Sequence, residues 1–229
     1  MKSKVFYFLF IIGCFSCLQT IKGQMIIVKG GLNNDFVSRS SYFENSDFLF
    51  KTGFHLGVSV NIPFNDKYSF EPGLLFTTKG YKVNDRIIQK NSYDDPGRVI
   101  EFIMYSDLFY LDIPILFKRS WNVNENMKLF GAVGPYVGIG LFGRNGIENT
   151  NSDEYPVSGS SDWGSNLYMS SIDAGVSIVT GVSIKRCSIQ LSYQNGFSNI
   201  NMVSGENYPD IKAKSRSVHL SFGYTLGKK

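Results

Sequence analysis

Residues 52–62 sort into two faces with a period of two: Phe54, Leu56, Val58, Val60 and Ile62 alternate with Gly53, His55, Gly57, Ser59 and Asn61. Successive side chains of an extended backbone point to opposite faces, whereas a helix would scatter these positions around its circumference. The segment reads as a strand. Its polar face is slight for an ordinary solvated surface. It suits a narrow, crowded interior behind an apolar outer wall, with lipid on one side and lumen on the other.

The same alternation recurs along the chain. Residues 26–33 set Ile26, Val28 and Leu32 against Lys29, Gly31 and Asn33, with Ile27 interrupting the polar face. Residues 68–83 set Phe70, Leu74 and Phe76 against Ser69, Glu71, Gly73, Thr77 and Lys79. In residues 108–119, Phe109, Leu111, Ile113, Ile115 and Phe117 oppose Tyr110, Asp112, Pro114, Leu116 and Lys118. Pro114 has no N–H for a ladder, so a bulge is expected there. Residues 128–142, 171–185, 188–195 and 217–226 complete a set of eight, and several of them carry glycine on the polar side, as a narrow barrel requires.

The connections alternate as well. Residues 34–48, 84–106, 143–168 and 199–215 are long and polar, the third with strand extension at its ends, whereas the links after the second, fourth and sixth strands are short, the last being the reversal Lys185-Arg186. An up-and-down meander with long loops at one rim and short turns at the other has this order. Strands of roughly ten residues cross a bilayer at a tilt. A sheet can sit in hydrocarbon only when it closes on itself. The expected fold is all-β, an eight-stranded antiparallel up-and-down transmembrane β-barrel whose lumen is filled by side chains.

The amino terminus is set apart from this pattern. Residues 1–24 carry Lys2 and Lys4, then an apolar run, then a polar approach to Gly23-Gln24, the order of a secretory signal peptide. Residues 25–229 are then the barrel domain. Cleavage after Gly23 removes Lys2, Lys4 and Lys22 and no acid, so the formal charge of +4 becomes +1. That balance gives no electrostatic case for nucleic acid. Ile11-Ile12-Gly13-Cys14 also resembles a lipobox, but the chain after Cys14 continues apolar, without a Ser-rich or acidic tether. Of three cysteines, only Cys187 survives ordinary cleavage, which leaves no internal disulfide and no two-cysteine metal or redox motif. No phosphate loop, dinucleotide fingerprint or zinc spacing is present, and no cofactor is expected.

By alternation the lumen holds Lys29, His55, Glu71, Lys79, Asp112, Lys118, Lys128 and Asp173. Mixed charges in a dry interior should pair, because an isolated one is expensive there. A structural network that plugs the barrel is therefore expected, rather than a catalytic or conducting lumen. His55 and His219, with Ser217 or Ser221 and Glu71, are the raw material of a lipid-modifying hydrolase, a weaker reading without a catalytic motif to support it. Tyr68, Phe70, Phe109, Tyr193, Phe222 and Tyr224 are expected in the interfacial girdles. A secreted calycin-like barrel is the soluble competitor, and it would need large apolar residues inside.

Certain segments resemble a known family. They are Glu71-Pro72-Gly73-Leu74-Leu75-Phe76 with Lys79-Gly80, then Tyr110-Leu111-Asp112-Ile113-Pro114-Ile115-Leu116-Phe117-Lys118, then Gly134-Pro135-Tyr136-Val137-Gly138. Asp173-Ala174-Gly175, Gln190-Leu191-Ser192-Tyr193 and Gly196-Phe197-Ser198-Asn199-Ile200 continue the likeness. Together they resemble the PorT-like outer-membrane β-barrel family abundant in Bacteroidota. The resemblance implies an eight-stranded barrel in the cell outer membrane, with outer-membrane lipid and the barrel assembly machinery as its partners; without a catalytic motif, it is not expected to be an enzyme. It also implies a possible surface or secretion partner protein reached through the long loops, since one namesake takes part in protein secretion. The chain departs from outer-membrane barrels in its end, Gly227-Lys228-Lys229, where a terminal aromatic is common.

Overall fold

The computed structural model describes residues 25–39, 47–89, 98–149, 157–161, 171–198 and 213–226. Residues 1–24, where a signal segment is expected, with Cys14, and the terminal Gly227-Lys228-Lys229 lie outside the described residues. Ten strands follow one another: β1 (Met25–Arg39), β2 (Asp47–Leu49), β3 (Lys51–Pro63), β4 (Tyr68–Gln89), β5 (Arg98–Asn122), β6 (Met127–Asn149), β7 (Val157–Ser161), β8 (Ile172–Ile184), β9 (Cys187–Gly196) and β10 (Ala213–Leu226). All pairings are antiparallel. β1, β3, β4, β5, β6, β8, β9 and β10 form a closed wall, with β10 returning to β1 from Ile26↔Leu226 to Arg39↔Ala213. This is the eight-stranded barrel expected from the alternation.

The two short strands prolong the wall. β2 meets β4 at Leu49↔Lys82, past the point where β3 meets it at His55↔Thr77. Likewise β7 meets β6 at Gly143↔Ser161, beyond Ile139↔Ile172 of β8. Tracing the registers once round the wall returns to β1 about ten residues further on. With eight strands, such a stagger gives the strong tilt, roughly 35–45°, of small barrels.

The direction of the side chains is decided by exposure. Leu56 is 59% and Val58 45% exposed, whereas Ser59 is 1% and Asp173 0%. Apolar chains therefore cover the outside, and small or ionic ones fill the centre, the inverse of a soluble barrel. Outward aromatics gather toward the two rims. Phe54, Phe76, Phe109 and Phe142 form a run across β3 to β6, with centroids of neighbouring rings 6.1, 5.9 and 4.3 Å apart. On the short-turn side Phe64 and Tyr68 stack on Phe117, and Arg119 lies over the Tyr68 and Trp121 rings.

The three short connections are tight. Phe64 N–H donates to Tyr68 O at 2.9 Å and Val123 N–H to Met127 O at 3.0 Å. Lys185 turns the third with φ 53°, between the paired Ile184 and Cys187.

Three expectations need correction. The stretch 84–106 is not all loop, because β4 and β5 stay paired out to Gln89↔Arg98 and leave only residues 90–97 undescribed. Its Asn, Asp and Arg residues have the composition of a loop, and composition alone does not reveal the backbone pairing that continues through this stretch. Nor does Pro114 mark a bulge: the register runs unbroken past it on both sides, and the shift falls at Phe109/Tyr110, where Leu141 of β6 is the extra residue. The lumen is also not wholly small and polar. Leu116, Phe130, Ala132 and Val179 pack together inside it.

Candidate functional site: the filled lumen

β5 serves as a ruler down the lumen. From the short-turn end its inward residues are Lys118, Leu116, Pro114, Asp112, Tyr110, Leu108 and Ser106, all buried. They fall in layers.

The first layer centres on Glu71 of β4. Its carboxylate accepts from Lys29 Nζ at 3.2 Å, from Lys118 Nζ at 2.9 Å and from Ser59 Oγ at 2.9 Å. Two ammonium groups and a hydroxyl from three different strands thus satisfy one buried carboxylate on a fourth, which removes most of the penalty for its desolvation. Lys118 also sits 4.1 Å over the Phe130 ring, which roofs the layer with apolar surface.

Beyond the apolar layer lie the two histidines. His55 Nε2 is 2.7 Å from Ser221 Oγ, and the His55 and His219 rings are 5.0 Å apart. The cavity beside them holds ≈ 20 Å³, room for about one water. Glu71 is engaged with the lysines, and Ser217 donates instead to Asp35. The histidine, serine and acid therefore do not come together as a hydrolase would need.

The third layer is built on Lys79, which reaches Asp112 and Asp173, both at 3.0 Å. Tyr136 OH donates to Asp173 at 3.0 Å, and the Lys79 ammonium lies 4.9 Å from the centroids of Tyr110 and Tyr136. Two glycines make room for the acids. A Cβ on Gly138 would fall 2.5 Å from Asp112 Oδ1, and one on Gly196 would fall 2.7 Å from Asp173 Oδ1. Nearer the long-loop rim, Asn33 Nδ2 donates to Asp35 at 2.6 Å, and Lys51 pairs with Asp107, which Arg144 also approaches at 3.7 Å.

Of the eight charged positions read from the sequence, Lys29, Glu71 and Lys118 meet in one layer and Lys79, Asp112 and Asp173 in another. His55 lies between. Lys128 is the exception: it is exposed, one residue inside the start of β6, and faces the open mouth rather than the network. Its parity is inward, but its depth is that of the rim. Asn33, Asp35, Tyr110 and Tyr136 also belong to the lumen's polar network. For Asn33 and Asp35 the signal was present, because they continue the odd-numbered inward face of Lys29 and Gly31.

A family model described as outer membrane protein beta-barrel domain matches residues 23–201. No curated protein matches the sequence. Among solved structures, the chain is similar to Ail, the attachment invasion locus protein of Yersinia pestis, with 15% identity over 89% of this chain and 99% of that one, at TM-score 0.41. Neisserial surface protein A aligns at 15% identity, covering 90% and 100%, with TM-score 0.42. OprG of Pseudomonas aeruginosa aligns at 14% identity, covering 92% and 99%, with TM-score 0.45.

Proposed function

Since the chain belongs to the outer membrane protein β-barrel domain family and lies in the outer membrane, we propose that it is a non-conducting, non-enzymatic barrel that holds a binding sheet above the membrane. The observation that carries the reading is the length of three neighbouring strands. β4, β5 and β6 have 22, 25 and 23 residues. Crossing the hydrocarbon takes roughly 9–11. About half of each strand therefore stands clear of the bilayer, joined there by β2 on one side and β7 on the other. Exposed backbone at such a sheet edge can accept a strand from a partner. The layered filling of the lumen supports the non-conducting part, because ion pairs and leucines occupy successive cross-sections.

A PorT-like role as an accessory of protein secretion is the finer form of this proposal. It rests on the segments quoted above, and its partner would be another envelope or surface protein. The test uses a photoreactive residue at position 48 on intact cells, in the edge strand β2 and outside the segment to be exchanged. Light should yield a discrete protein adduct, lost when residues 84–106 are replaced by a tight turn while heat-modifiable migration is retained. No adduct, or stable open-channel steps from the purified protein in planar bilayers, would overturn the proposal. On the non-enzymatic side, replacing His55 and His219 together by asparagine should leave the lipid A mass spectrum unchanged.

A further inference from the structure

The short-turn end of the barrel opens into a cavity of ≈ 260 Å³ that none of the layers above occupies. The turns 64–67, 123–126 and 185–186 crown it and the first inward residues of the strands line it. It is blind, because Lys118 at its inner end is tied to Glu71 and the lumen beyond is filled. A molecule that enters from this side stays on this side.

The charge around the mouth is uneven. Lys67, Lys128, Lys185 and Arg186 line it against two carboxylates, Asp66 and Glu125. None of these four cations makes an ion pair among the described residues. Like charges gathered round a concave, low-dielectric opening focus the field and concentrate counter-anions within it. In the same cavity Asn61 Oδ1 is buried without a hydrogen-bond partner, an acceptor aligned with no donor of the protein. Such an atom favours a ligand that brings its own N–H or O–H.

We propose that this mouth is a binding site for a small, multiply charged anion that carries a hydrogen-bond donor, such as a hydroxy-polycarboxylate, taken from the periplasmic side on which short turns lie. The cations hold the carboxylates. Asn61 accepts from the hydroxyl. Serine hydroxyls and the Gln190 amide around the rim supply further neutral donors.

The test follows amide signals of Ser183, Ser188 and Gln190 in the ¹⁵N-labelled full-length barrel in micelles at fixed ionic strength. Citrate should shift them saturably, and tricarballylate, which lacks the hydroxyl, should bind several-fold more weakly. The K128Q/R186Q variant, folded by its heat-modifiable migration, should raise the Kd for citrate at least tenfold. K214Q, at the opposite rim, should leave it unchanged. Shifts that fail to saturate, or an unaltered Kd in K128Q/R186Q, would overturn the site, and equal affinity for tricarballylate would overturn the role of Asn61. Inorganic phosphate forms the comparison arm: saturable binding as tight as citrate's would overturn the assignment to carboxylates.

Discussion

Lys79→Met is expected to lower the unfolding free energy in lipid vesicles by about 3–5 kcal/mol, the range for removing one partner of a buried ion pair. Lys79 is 4% exposed and is the shared counter-charge of Asp112 and Asp173, both completely buried. Methionine fills a similar volume, so the loss is electrostatic: two carboxylates are left facing each other with no cation between them. The Tyr110 and Tyr136 rings, whose faces meet the ammonium, lose that attraction as well. A urea titration read by tryptophan fluorescence measures the change, and Trp121 on the lipid-facing wall is a suitable reporter. The triple change Lys79→Met, Asp112→Asn, Asp173→Asn should recover much of the stability. If the single variant unfolds at the wild-type urea concentration, the ion pairs are not what holds this layer.

Leu56→Arg should destabilise by about 1–3 kcal/mol in the same assay, between the cost of a guanidinium at the middle of the lipid face and the smaller cost at its interfaces. Leu56 is 59% exposed, and on a soluble protein an exchange at such a position stays within about 0.5 kcal/mol. The size of the effect therefore reports the solvent that the wall faces. Arg119, by contrast, already sits outward beside Tyr68 and Trp121 at the short-turn rim, where its charge reaches the interface. An effect at Leu56 as small as on a soluble surface would contradict the lipid-facing wall.

The strands and their facing were legible because both depend on parity alone, and β3 or β8 could be read residue by residue. Pairing was not. That Glu71 takes Lys29 and Lys118, while Lys79 takes Asp112 and Asp173, follows from registers such as Ser69↔Lys118 and Leu75↔Asp112, and no local pattern encodes a register between strands forty residues apart. Depth was equally hidden, which is why Lys128 has the right parity and the wrong surroundings. The apolar layer escaped for the opposite reason: Leu75, Phe130 and Val179 look like interruptions of an otherwise polar face, yet each is buried inside. Strand ends were lost in the stretch 84–106, because its composition is that of a loop and does not reveal the backbone pairing that continues there. The segments that carry the family resemblance contribute Glu71, Lys79, Asp112, Lys118, Tyr136 and Asp173, so what they encode is chiefly the filling of the barrel.

A wall of eight staves offset by about ten residues has its girth fixed by integers. It cannot dilate by degrees. To gain bore it must part along a seam such as that between Ile26 and Leu226, stranding a row of amides and carbonyls in oil at several kcal/mol apiece. Whatever adjusts in this protein must therefore adjust in its stuffing or its crown, with the cylinder itself as a rigid collar.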